Sequence, residues 1–496
     1  MRPRQLTALL TLGAAVTIAL CVGISIATES YALLILGATV VVVSVLILMP
    51  GYIPLFVFGL LMPFSLPVPF VLNLPFLLLA LGLCAVKYWL QHGLQNRKLA
   101  KQSVHYRILD VPIAVFFAWI FVRYFMNPSI PNLMGFGMNV TGFRSWLSYA
   151  LAFGILFFIG RFVANRAGLV KLMRWLGYVS IFFILVMVPV TLSKSIALGT
   201  LFMRMGMFVA TFDNGMLRLV ALPEFGLFLL SVLLLPNVLK LRRATWLCAA
   251  ALASMAVILG GNRTGLGMAF IIVTVIPLLQ GKFVKFGVIT GSALLISVVA
   301  FFAGPALSQL PHTGFLRPLG LVSPALSDVT GGDSNLEWRE VRWQRGLEEI
   351  RKHPLVGVGY GGLENALESD TQSEEESEDL SVATGGVHNG YIAGALALGI
   401  PAALLFCYIM ISRIVINGLR AFALRKSDPV MADVHCFICA NLLAYSAAFF
   451  VAEDMNEPVI WFLLGLGIFV GQLRPEAKKA RSAPVIVEPA LSRQLA

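Results

Sequence analysis

Apolar windows of eighteen or more residues without charge recur along the chain from residue 7 to residue 473. Stretches of that length match the hydrocarbon thickness that a membrane helix must cross. The pattern predicts an all-α polytopic membrane protein with about fourteen transmembrane helices, at 7–28, 31–49, 52–70, 72–90, 110–126, 146–162, 170–192, 214–236, 244–260, 264–280, 284–304, 387–412, 432–452 and 457–473. Prolines cut the second to fourth of these short, so twelve spans remain open. Residues 305–387 make the longest interruption, predicted as one large outward-facing loop containing short helices. The chain then divides into N-terminal spans (1–200), a core that includes the loop (201–473) and a disordered cytoplasmic tail (474–496).

Charge orients this layout. Lysine and arginine cluster at Arg97–Arg107, Arg161–Arg174, Lys240–Arg243, Lys282–Lys285, Arg413–Lys426 and Lys478–Arg481. Threading fourteen spans puts all six clusters on one side, which the positive-inside rule assigns to the cytoplasm. Both termini are then cytoplasmic, with Met1-Arg2-Pro3-Arg4 leading an uncleaved first span. Apolar residues make up 58% of the chain and charged residues 12%, which excludes an ordinary soluble domain. The net charge of +12 is accounted for by the clusters and requires no nucleic-acid partner. All six cysteines (21, 84, 248, 407, 436, 439) fall within predicted spans, so no disulfide framework follows. Cys436 and Cys439 beside His435 have no further ligands nearby and read as buried apolar thiols.

Outward arginines are informative because topology does not require them. Arg263 stands in Gly260-Gly261-Asn262-Arg263-Thr264-Gly265, a tight outer turn. Its planar fork suits phosphate oxygens, while snorkelling at the interface is the plainer alternative. Arg218 lies near the outer end of span 214–236, with Pro223 and then Glu224 after it, roughly 9 Å deeper if the segment is helical. Charges within spans face a cavity or a partner, so a structural pair and a functional pair both stand. In the loop, residues 337–352 read as an amphipathic helix with Trp343, Leu347 and Ile350 as its apolar stripe. On that wheel Arg339 points inward, Arg342 flanks the stripe and Arg345 points away. The turn Pro354–Gly362 fits no nucleotide fingerprint. The acidic run Glu368–Asp379 holds seven carboxylates in twelve residues and reads as a hydrated spacer, with calcium binding as its alternative. His388 opens a span rich in small residues. Its imidazole is suited to take a proton from a hydroxyl at neutral pH, and a helix-capping histidine is the plainer reading.

Three motifs in order resemble the O-antigen ligase and polymerase superfamily: Asn262-Arg263-Thr264-Gly265; Trp338-Arg339 with Trp343 and Pro354–Gly359; and His388-Asn389-Gly390 followed by Gly399. The resemblance covers residues 200 to 473. It implies an inverting membrane glycosyltransferase that moves a glycan from undecaprenyl diphosphate to an acceptor hydroxyl, on the periplasmic side of the inner membrane. His388 would be the catalytic base. Arg218, Arg263, Arg339 and Arg342 would bind the diphosphate, with Glu224, Asn389 and Trp338 in support. No cofactor is expected, and no Asp-x-Asp pair stands on the outer side, so transfer is expected to be metal-independent. The partners implied are the lipid-linked donor, a glycan or lipid acceptor and membrane lipids. Ala402 stands where the ligase version carries Gly, Thr or Tyr, which with the extended loop favours a polymerase. An O-antigen ligase acting on lipid A core, a protein O-oligosaccharyltransferase and a lipid-linked glycan transporter remain as alternatives.

Overall fold

The computed structural model describes residues 51–62, 65–68, 72–94, 110–126, 141–163, 165–193, 195, 197–200, 209–211, 217–261, 263–309, 323–329, 334–360, 389–451, 455 and 457–473. The expected spans 7–28 and 31–49, the acidic run and the tail 474–496 lie outside them. Most of the described chain is helical. Helices α1 (Ile53–Leu61) and α2 (Phe76–Leu94) flank a hairpin of β1 (Ser65–Val68) and β2 (Leu72–Pro75), in register from Ser65↔Pro75 to Val68↔Leu72. The expected spans 52–70 and 72–90 are corrected accordingly. Pro63, Pro67, Pro69 and Pro75 remove the N–H groups a continuous helical ladder would need.

Then come α3 (Val111–Met126), α4 (Thr141–Val163) and α5 (Arg166–Ser193). Strands β3 (Val209–Thr211) and β4 (Leu217–Leu219) pair antiparallel before α6 (Leu222–Leu233). The expected span 214–236 is thus a strand, a turn and a helix that Pro223 opens in its first turn, where the missing N–H is harmless. Next are α7 (Arg243–Leu259), α8 (Arg263–Leu279) and α9 (Phe283–Leu307). The loop carries α10 (Pro324–Val329) and α11 (Ser334–Lys352). Its far side continues into α12 (Gly390–Leu398), α13 (Ile400–Leu424), α14 (Pro429–Ala448) and α15 (Pro458–Gln472). Among the described residues, four helices (α5, α9, α13 and α14) are long and apolar enough to cross a membrane, and seven shorter helices are also apolar. The chain is a membrane protein, and its described residues are mostly helical, with two short antiparallel strand pairs that an all-α reading leaves out.

Burial is graded outward from α14. About 78% of its most apolar window is buried, against 6% for α9, so α14 is the central post and α9 faces the surroundings. Lipid tails are as apolar as leucine, so polar contacts and close packing carry the specificity of such a bundle. On α14, Asp433 accepts at Oδ2 from the Asn237 backbone (2.9 Å) and side chain (3.0 Å), and at Oδ1 from Gln280 Nε2 (2.9 Å). Asn441 Nδ2 donates to Ser231 Oγ on α6 at 3.0 Å, and His435 Nδ1 lies 2.7 Å from Asn417 Oδ1 on α13. Cys439 donates to the Ile414 carbonyl at 3.3 Å. These bonds tie α6, α8, α13 and α14 together at fixed heights.

They also define two ends. Gln280, past α8, donates to Leu234 O past α6 and to Asp433 near the start of α14. Arg166 forks onto Asp428 at 2.9 and 2.6 Å, and Arg413 pairs with Asp110. Lys240, Arg242, Arg243 and Lys282 belong to the same segments, so this end is basic. At the opposite end lie the starts of α6 and α8 and the finish of α14. Asp433→Ala is expected to lower stability by about 1–3 kcal/mol, as loss of a buried acceptor serving three donors. Asp433→Asn, which keeps an acceptor for Gln280, is expected to cost less. Thermal unfolding in detergent measures both.

Candidate functional site

The opposite end gathers most of the expected residues into two groups. The first surrounds the α7–α8 turn. Arg218 sits on β4, paired with Ala210 of β3, and its Nε donates to the Gly260 carbonyl at 3.0 Å. Gly260 closes α7, and a Cβ there would run into the Pro223 ring. Gly226 likewise lies so close to α7 that an added Cβ would meet the Ala253 carbonyl at 2.7 Å. Glycine is required at this contact because two backbones touch. Gly261 adopts φ 57°, turning the chain so that Arg263 opens α8. Arg218, Glu224 and Arg263 are therefore brought to one corner, all partly exposed. The expected helical rise between Arg218 and Glu224 is corrected, because a strand and a turn separate them. Asn262 lies outside the described residues.

The second group is built on α11. Arg342 is only 9% exposed and Arg339 is partly buried, and the Nε atoms of both are out of solvent. The expected wheel is corrected in two places. Arg342 is the more buried arginine, and Leu347 is 46% exposed instead of completing the stripe. The buried line is Arg339, Arg342, Gly346 and Ile350, spaced three and four apart as a helix face requires. Ile350 packs with Leu396 of α12, joined by Trp343, Val358, Ile392 and Ala395. A tertiary partner on one side decides this face, which sequence periodicity locates only to within a turn. Arg345 is partly buried, not fully solvated, and Glu349 accepts from Lys352 at 2.7 Å. Trp338 lies in the first turns of α11, and its side chain is outside the described residues.

His388 is also outside them, but the residue after it is firmly held. Asn389 caps α12, its side chain accepting from Tyr391 N and Ile392 N at 3.1 Å each. Its Nδ2 donates to Phe450 O at 3.4 Å, and Gly390 N to Phe449 O at 2.7 Å. The Tyr391 hydroxyl bonds Ser446 at 2.9 Å. Thus α12 starts on the finish of α14.

The glycine turn after α11 joins the two sides. Val358 N donates to Leu396 O at 2.7 Å, Gly359 N to Ala397 O at 3.0 Å and Ile400 N to Pro354 O at 2.9 Å. The expected span 387–412 is broken there: Gly399 has φ 89° and separates α12 from α13. Gly357 has φ 65°, and a Cβ on it would lie 2.5 Å from Leu396 O. The N–H groups of Gly357, Val358 and Gly359 all donate to protein carbonyls, Gly357 N to His353 O at 2.9 Å, so these glycines serve a structural splice. Arg123 on α3, which sequence reasoning passed over, reaches this splice: it is 1% exposed and donates from Nη2 to Gly357 O at 3.1 Å. A charge inside the predicted span 110–126 was the available signal.

Residues 248–407 match the family described as O-antigen ligase. That match, over about a third of the chain, supports membership of the O-antigen ligase and polymerase superfamily. The match includes Arg263, Trp338, Arg339, Arg342, His388 and Asn389, and leaves Arg123, Arg218 and Glu224 outside. No curated protein matches the sequence. The splice gives a direct expectation. Gly399→Ala places a methyl group against the Leu355 carbonyl at a left-handed φ, at a cost of about 1–3 kcal/mol. Faster limited proteolysis after residue 352 at unchanged membrane abundance is the expected result.

Proposed function

We propose that the protein is a metal-independent, inverting glycosyltransferase that moves a glycan from a polyprenyl diphosphate, undecaprenyl in bacteria, onto an acceptor hydroxyl. Its product is a surface polysaccharide, and its role is that of a polymerase. The observation that carries this reading is the separation of charge between the two ends. Arg218, Arg263, Arg339 and Arg342 belong to elements at the end opposite the basic one, together with the start of α12 next to His388. If the basic end is cytoplasmic, these groups meet a lipid-linked donor on the periplasmic side of the inner membrane.

The chemistry balances with protein groups alone. The acceptor oxygen attacks the anomeric carbon from the face opposite the diphosphate, and the bond from carbon to diphosphate oxygen breaks. The acceptor proton passes to the His388 imidazole. The leaving diphosphate gains negative charge, which the arginine forks stabilise more strongly as it develops. Glu224 at the Arg218 corner orients an arginine, Asn389 anchors the helix start that follows His388 in sequence, and Trp338 supplies a ring for a sugar face. A ligase that delivers the finished chain to lipid A core is the second reading, favoured by the match of residues 248–407 to the O-antigen ligase family.

A gel of surface glycans separates the two. A deletion that leaves single repeat units on the normal acceptor supports a polymerase, and long chains held on the polyprenyl lipid support a ligase. Complementation with His388→Ala is expected to copy the deletion, since a general base contributes about 10²–10⁴-fold. Wild-type glycans from that variant would remove His388 from the mechanism. With purified protein, Arg263→Lys is expected to lower turnover by about 10²-fold, and EDTA is expected to leave wild-type turnover unchanged. Loss in EDTA restored by a divalent cation would overturn metal independence.

A further inference from the structure

A fully buried arginine needs a reason to exist. The Arg123 guanidinium near the end of α3 is 1% exposed, so it does not snorkel to water. Its hydrogen-bond acceptors are neutral: the Gly357 carbonyl at 3.1 Å and the Met126 sulfur at 3.7 Å. Its Nε has no hydrogen-bond partner among the described residues. Arg166 and Arg413, by contrast, pair with carboxylates at the basic end. Among the described residues Arg123 has no counter-charge, and a charge buried this way in an apolar bundle is costly and marks function more often than structure.

Trp119 lies one helical turn earlier on the same face of α3. Its Nε1 donates to the Leu398 carbonyl at 2.8 Å. One helix face therefore grips both sides of the splice: Leu398 on the α12 side and Gly357 on the loop side. The N–H groups of Val358 and Gly359 are already bonded across the junction, so the Gly357 carbonyl is the handle left for α3. A charged donor makes the stronger bond there, because a low-dielectric setting weights charge-assisted hydrogen bonds most.

We infer that Arg123 is a positioning residue for glycan transfer, which acts through the Gly357 turn to set α11, with Arg339 and Arg342, against the start of α12. The inference rests on the proposed function for its kinetic consequence, though not for its geometry. The turn follows α11 directly, at His353. Slack at Gly357 is therefore transmitted to the arginine face as a shift of the whole helix, and displacements near 1 Å cost about 10²-fold in rate. Arg123 touches no reacting atom in this scheme. Its loss acts on turnover and leaves donor affinity nearly intact.

The test uses the full chain in lipid nanodiscs with cysteines at Val358 and Leu396, which pack in one cluster. Disulfide formation between them, read without substrate, reports whether the turn is held. Arg123→Met is expected to slow it about tenfold, Arg123→Lys to slow it less, and Trp119→Phe to slow it measurably should Arg123→Met fail to insert. An unchanged rate in the inserted variants overturns the inference, whatever the protein's activity. Where transfer is measurable, Arg123→Met is expected to lower kcat about 10²-fold with donor KM within about threefold. Oxidising the 358–396 pair is then expected to restore most of kcat. A tethered Arg123→Met chain that stays inactive, or a rise in donor KM as large as the fall in kcat, would mean that Arg123 meets the donor itself. Absence of transfer by wild type removes the proposed function and leaves the crosslinking result standing.

Discussion

The backbone splice between the glycine turn and the helix break at Gly399 is the constraint on which the end opposite the basic one depends. A loop reaching far from its flanking helices has no intrinsic position. Here three backbone hydrogen bonds, from Val358, Gly359 and Ile400, fasten it to α12 and α13. The break at Gly399 frees the Leu396 and Ala397 carbonyls and the Ile400 N–H from an uninterrupted ladder. Two left-handed glycines, Gly357 and Gly399, meet backbone to backbone, and side chains would prevent that approach. The turn is satisfied by the broken helix, and the broken helix by the turn.

Everything placed at that end inherits its geometry from this contact and from the central post. Below it, the polar bonds of α14 set the heights of α6, α8 and α13 where apolar packing alone would let helices slide. Above it, α11 is pressed onto α12 through Ile350 and Leu396, which turns Arg339 and Arg342 inward. At the neighbouring corner, close approach of α6 and α7 at Gly226 and Gly260 brings Arg218 to the start of α8. The arginines thus belong to a strand, a helix start and a loop helix, three local structures with no periodicity in common.

Charge is distributed with the same economy. At the basic end, arginines meet carboxylates, as Arg166 meets Asp428. At the other end, Arg218 and Arg123 donate to backbone carbonyls. A neutral carbonyl holds a guanidinium in place and leaves its charge, and the Gly357 carbonyl holds Arg123 in this way.

The sequence by itself determined the membrane class, the gathering of the basic segments at one end, the turn before Arg263, the loop helix ending at Lys352 and the family resemblance. Each of these rests on hydropathy, charge or a local motif, which a linear reading contains. Only the tertiary structure decided that span 387–412 breaks at Gly399, that Arg218 stands on a strand, that Arg342 is buried more deeply than Arg339, and that Arg123 grips the loop. A broken helix and an unbroken one have the same hydropathy. A wheel has no inward direction until a partner such as Leu396 covers one side. The value of a buried charge depends on an acceptor that lies 234 residues away in sequence, as the Gly357 carbonyl does from Arg123.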